Sequence, residues 1–216
     1  MKKAALTAIY LFLCFNGFGQ KFTDAERSLI TSGNKEQVMR VLQVTDTTDY
    51  KVLTAVSADV DLKDKDLQLL IDRMYTTVRD SANAGVGIAA PQVGINKNII
   101  WVQRFDKPGE PFEAYINPKI KWGSKLLRKG GEGCLSIPDL RGDVLRHYTI
   151  AVSYFDRYGQ RHEEMVEGFT AVIFQHEIDH LMGILFTDRL EQQAAGQYSL
   201  INGEVNLYLE NKLRRQ

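Results

Sequence analysis

Apolar residues recur at helical spacing in two parts of the chain and alternate at strand spacing in a third. Leu67, Leu70, Ile71, Met74 and Val78 stand three or four residues apart, which predicts a helix from about Asp64 to Asn83. From Gly168 to Gly183 the chain is apolar almost throughout, and Gly183 is a helix stop, so a second, more deeply buried helix is expected there. Phe22 to about Ile30 suits a short helix. Tyr148, Ile150, Val152 and Tyr154 alternate with the smaller Thr149, Ala151 and Ser153, and Asp156-Arg157-Tyr158-Gly159 then turns the chain into a partner strand. Ile99 to Phe105 reads as a strand, Tyr115 to Ile120 as an edge strand because of Pro118, and Ile184 to Phe186 as a short strand. The tail from Ser199 carries no clear pattern. Strands on either side of one apolar helix imply an α+β fold, with mainly antiparallel sheets around a central helix.

The first residues read differently. Lys2 and Lys3 precede an apolar run from Ala4 to Phe15, and Gly17-Phe18-Gly19 follows. A charged start, an apolar segment too short to span a bilayer and small residues after it predict a signal peptide over residues 1–19. Residues 20–216 would then form a single catalytic domain, exported to the periplasm or medium if the segment is cleaved and cytoplasmic otherwise. Cys14 raises a lipidated start, which Leu13 before it disfavours. About 197 residues suffice for one proper core. Lysine and arginine balance aspartate and glutamate at 27 each. No basic block points to nucleic acid, and membrane contact is expected only through the N-terminal segment. Cleavage would leave Cys134 as the sole thiol and exclude an internal disulfide.

Candidate chemistry lies at the end of the second helix, in His-Glu-Ile-Asp-His (176 to 180). Residues four apart on a helix stand one above the other, so His176 and His180 can share a metal ion, with Glu177 beside them as a base. Phe169, Val172 and Ile173 lie on the histidine face, either as core or as the wall of an apolar pocket. A catalytic site of this type takes a third protein ligand and keeps one position open. The chain's other histidines, His147 and His162, precede the motif, and a downstream Glu191 or Glu204 has no pattern to position it. That leaves Cys134, set among glycines in Gly-Gly-Glu-Gly-Cys-Leu-Ser (130 to 136), as the better candidate.

Together, Gly-Val-Gly-Ile-Ala-Ala-Pro-Gln (85 to 92), Glu-Gly-Cys-Leu-Ser (132 to 136) and His-Glu-Ile-Asp-His (176 to 180) resemble the three signature motifs of the peptide deformylases, in order and spacing. The likeness runs from about Val38 to Leu190. It implies that Cys134, His176 and His180 bind the metal, natively ferrous iron with zinc, nickel or cobalt as substitutes. Glu177 matches the catalytic acid/base, and Gln92 with the backbone N–H of Leu135 match the oxyanion donors. Val86, Gly87, Phe169, Val172 and Ile173 resemble the methionine pocket. Arg141 is similar to a residue that touches the substrate backbone, and Arg146 and Asp179 look like an ion pair that orients the helix. The implied substrate is an N-formylmethionyl peptide, cleaved to formate and free peptide by a monomer. Two features depart from the family: the signal-like start, and Asp-Thr-Thr-Asp-Tyr-Lys-Val-Leu (46 to 53), where a Gly-Asp-Pro turn usually precedes the Val-Leu. A zinc endopeptidase, an inactive peptide-binding relative and a closed structural metal site completed by His147 or His162 are the alternatives.

Overall fold

The computed structural model describes residues 19–211. The expected signal segment, apart from Gly19, lies outside them. Helix α1 (Asp24–Thr31) is capped reciprocally by Thr23 and Glu26, and α2 (Thr47–Leu53) begins where the Asp46 carboxylate accepts the N–H groups of Thr48 and Asp49. The unusual Asp-Thr-Thr-Asp stretch is thus a capped helix start. Helix α3 (Leu67–Arg79) is shorter than the pattern predicts. At its start Asp64 is held by the Phe22 N–H and the Arg27 guanidinium. At its end Asp80 is extended and caps a separate 3₁₀ turn over Ser81–Asn83.

Next come β1 (Gly87–Ala89), a 3₁₀ turn over Ala90–Val93, β2 (Ile99–Gln103) and β3 (Phe112–Gly123). They are followed by β4 (Leu126–Cys134), β5 (Ile137–His147), β6 (Thr149–Phe155) and β7 (Arg161–Glu167). Helices α4 (Gly168–Leu181) and α5 (Phe186–Ala194) and the hairpin β8 (Tyr198–Asn202) and β9 (Leu207–Glu210) complete the described chain. Two antiparallel sheets result, one ordered β1-β2-β3-β6-β7 and the other β5-β4-β9-β8.

The first sheet is buried on both faces, and β2 shows why. Ile99 and Trp101 point to the cluster that holds Leu70, Ile71 and Met74 of α3, while Ile100 and Val102 point to the cluster that holds Ala171, Ile173 and Phe174 of α4. Period-two alternation sends successive residues to opposite faces. Both faces being covered, β2 reads as an unbroken apolar run. A third cluster joins Ile137 and Val144 of β5 to Leu185 and Phe186 and fastens the second sheet to the start of α5.

Three expectations need correction. β3 is an inner strand, paired with β2 on one side and β6 on the other. Pro118 is tolerated because the register shifts between Ile116 and Lys119, with Asn117 at φ 51° and its side-chain amide bonded to both backbone groups of Val60. Ile184 to Phe186 is not a strand: the Asp188 carboxylate accepts the Leu185 N–H and starts α5 at Phe186. β2 stops at Gln103, because Arg104 turns away into a buried network with Asp106, Tyr115 and Glu164. The long β4–β5 pair and the terminal hairpin are structure that the pattern of apolar residues did not announce.

Candidate active site

α4 carries His176, Glu177 and His180 on a helix bounded by two glycines of positive φ, Gly168 at 65° and Gly183 at 68°. A Cβ on Gly183 would lie 2.3 Å from the Thr54 carbonyl oxygen, so the helix end is fixed against the residues after α2. β4 delivers Cys134 from the other sheet. The Sγ of Cys134 and Nε2 of His180 are 3.2 Å apart, and the donor atoms of Cys134, His176 and His180 lie within 4.8 Å of one another. His147 and His162 are engaged elsewhere, with Ser124 and Asp156. Glu191 and Glu204 are exposed and outside the cluster. Three ligands with no fourth among the described residues make an open site rather than a closed structural one.

The donors are oriented by what lies behind them. Nδ1 of His176 is 2.8 Å from Oε2 of Glu132, which directs its Nε2 toward Cys134. Glu132 in turn accepts two hydrogen bonds from Arg146, at 2.8 and 2.9 Å. Arg146 also pairs with Asp179, which Arg189 of α5 binds from the far side. Gln92 is buried, and its Oε1 accepts the Ala89 N–H at 2.9 Å, so its amide N–H groups face Cys134 Sγ at 3.5 Å and Ser136 Oγ at 3.3 Å. Glu177 is 4% exposed, and its Oε2 and the Nδ1 of His180 have no partner. Gly87 makes room for this carboxylate, because a Cβ there would lie 2.4 Å from Glu177 Oε1.

The electrostatics favour a cation at the centre. Burial would raise the Cys134 thiol, but His180 and His176 outweigh it and bring it down to about 5. Burial would likewise lower His176, yet Cys134 and Glu132 push it up to about 10. Two anions holding a proton between the ligands mark the place that a metal cation would take. Burial pushes Glu177 up to about 7, and the same cation would draw it back down.

A cleft of about 640 Å³ opens over these groups. Val86, Gly87, Phe169, Val172 and Ile173 form its apolar wall, and the helical stripe is therefore both core and pocket. Leu135, Arg141 and Gln92 also line it, Arg141 exposed and Gln92 buried. Phe169 is propped by Phe105, ring to ring at 5.2 Å, and by the Arg128 guanidinium at 5.7 Å. The site residues that the resemblance implies line this cleft, except His180, Arg146 and Asp179, which lie behind it. Glu132, Ser136 and Arg189 were not singled out. Glu132 had a signal: in a strand it shares a face with Cys134, two residues on.

An open Cys-His-His cluster beside a buried carboxylate, at the foot of a peptide-sized cleft, defines a metal-dependent hydrolase. The chain belongs to the polypeptide deformylase family, whose model matches residues 38–195. It is 40% identical over 156 residues to a peptide deformylase of Caulobacter sp., covering 72% of this chain and 89% of that one. Over 158 residues it is 40% identical to a peptide deformylase of Nautilia profundicola, covering 71% and 88%. Among solved structures it resembles the Met-Ala-Ser-bound class I type b peptide deformylase from Acinetobacter baumannii, with a TM-score of 0.64 and 38% identity over 71% of this chain and 99% of that one. An actinonin-bound form of the same enzyme gives a TM-score of 0.62 at 37% identity over 70% and 97%.

Glu132→Gln tests the backing of the site. It keeps the shape but removes the charge that orients His176, and metal affinity is expected to fall about 10- to 100-fold. Chelator competition measures it; unchanged affinity would remove Glu132 from the account.

Proposed function

We propose that this chain hydrolyses the formamide of N-formylmethionyl peptides, releasing formate, with one divalent metal held by Cys134, His176 and His180. The observation that carries this reading is the convergence of a Cys134, His176 and His180 cluster with Glu177 and Gln92 at one peptide-sized cleft. The donor set, one thiolate and two imidazoles, suits ferrous iron, zinc, nickel or cobalt, and family resemblance favours ferrous iron. When bound, such an ion supplies Lewis acidity, polarising a carbonyl and acidifying a water.

The chain's own groups do the rest. The Glu177 carboxylate takes a proton from the attacking water and returns it to the departing amine. Its free Oε2 is the atom available for this. The Gln92 N–H groups and the Leu135 N–H donate to the oxyanion as the formyl carbon becomes tetrahedral. Ala89 holds Oε1, so the NH2 side of Gln92 faces the site, and one N–H exchanges Cys134 Sγ or Ser136 Oγ for the oxyanion. The methionine side chain rests on Phe169, Val172 and Ile173, which also exclude water.

The peptide backbone has a track. β4 is paired with β5 along its length, but its other edge meets β9 only at Leu126–Arg128. The rest of that edge faces residues 84–87, beside the free edge of β1, across the cleft. An extended peptide can add between them, as strands do at open sheet edges. With its formyl end at Cys134 it must run antiparallel to β4, toward Gly130. Arg141, exposed on the rim, is within reach of its backbone. The open cleft argues against an inactive peptide-binding relative, and the lack of a downstream ligand in the cluster against an endopeptidase.

We also assign the protein to an exported location, on the strength of Lys2, Lys3 and the apolar run to Phe15. A monomer is proposed because the described fold completes the cleft from one chain.

Metal analysis paired with formate release from formyl-Met-Ala-Ser tests the chemistry. Cys134→Ala is expected to lose metal and activity together, and Glu177→Ala to keep metal while turnover falls about 10²- to 10⁴-fold. Metal and activity retained in Cys134→Ala would overturn the ligand set. N-terminal sequencing of the mature protein tests the location: a start near Gln20 is expected, and an intact Met1 in soluble cytosolic protein would contradict it.

A further inference from the structure

We infer that the β8–β9 hairpin sets the length of the substrate track, so that this enzyme selects short N-formylated peptides over the N-termini of long chains. The inference rests on the peptide path proposed above. It concerns a part of the chain beyond residue 195, where the family match ends.

Register carries the argument. β9 pairs with β4 through Leu207 opposite Arg128, Tyr208 opposite Leu127 and Leu209 opposite Leu126. The Lys129 N–H donates to the Asn206 carbonyl at 2.9 Å and closes that pairing. β9 is antiparallel to β4, as the bound peptide must be, and β4 has only one edge not taken by β5. Peptide and β9 therefore lie end to end on the same edge and point the same way. What remains for the peptide is Gly130 to Cys134, five residues, or roughly 17 Å at about 3.4 Å each.

The turn at the junction is built rather than loose. Asn202 Oδ1 accepts the N–H groups of Glu204 and Val205, and Asn206 sits at φ 51° as the chain enters β9. At the other end the Asn211 N–H donates to the Gln197 carbonyl at 2.7 Å and closes the hairpin base.

The composition of β4 gives a second, independent sign. A Cβ on Gly130 would meet nothing within 4 Å, one on Gly131 would meet only Asp143 at 3.7 Å, and neither residue has a positive φ. Neither packing nor backbone geometry requires glycine there. Glycine inside a strand weakens it unless another backbone must come close, and an incoming peptide supplies that backbone. The cleared stretch stops at Lys129, where β9 takes over the edge.

A peptide of up to about five residues can pair along the whole open edge. A longer one must turn off the edge at Asn206 or displace β9, forfeiting at least one backbone hydrogen bond, which corresponds to about tenfold in kcat/KM. The test is a length series of formyl-Met peptides of three, five, eight and ten residues, on the full chain and on a variant ending at Gln197. For the full chain, kcat/KM should rise to five residues and fall about tenfold by ten. For the shortened variant the fall should disappear, because residues 126–128 of β4 become available. A full chain that processes ten residues as well as five overturns the inference, as does a shortened variant that keeps its metal and shows the same fall. If the shortened variant does not fold, the full-chain series decides alone. A full chain inert toward formyl-Met-Ala-Ser overturns the parent reading, and this one with it.

Discussion

The carboxylate of Glu132 is where the two halves of this molecule are tied together. It comes from β4, two residues before the cysteine, and binds both His176 of α4 and Arg146 of β5. Arg146 continues to Asp179 on α4, and Asp179 to Arg189 on α5. Four helix and strand elements thus share one largely buried chain of charges. Removing water from such groups is costly, and the cost is offset only if every member is paired. The network is satisfied in one arrangement, in which β4 and α4 bring their ligands within reach of each other. Any slip of β4 by one residue would turn both Glu132 and Cys134 to the wrong face.

The same constraint explains why the site can be open yet rigid. The ligands stand on a strand and a helix, and the groups behind them fix their orientation without occupying the position facing the cleft. Gln92 follows this logic on a smaller scale, as Ala89 holds its carbonyl and leaves its N–H groups aimed inward. Gly87 follows it too, since the missing side chain is the space in which Glu177 sits. Glu177 itself is buried without a partner on Oε2, a costly state that makes physical sense for the group proposed to hold and release a proton.

Much of the site was legible in the sequence because its parts lie in short local patterns. His176 and His180 are separated by one helical turn, and Cys134 followed from the absence of any other third ligand. The fold was less legible where tertiary contacts override local rules. Pro118 suggests an edge, but Asn117 gathers both backbone groups of Val60 and lets a bulge carry the proline through an inner strand. Ile184-Leu185-Phe186 is as apolar as a strand, and it took the Asp188 cap and the packing of Phe186 to make it a helix start. The β4 strand escaped notice for a physical reason: its glycines erase the alternation that marks a strand, and with it the face shared by Glu132 and Cys134.

The proposed site holds its metal through one sulfur and two imidazoles, and X-ray absorption on the metal-loaded protein tests that most directly. One sulfur and two imidazole nitrogens around the ion, with the remaining position taken by a light atom from solvent, is the predicted result. A coordination shell without sulfur, or with a fourth protein ligand, would contradict it.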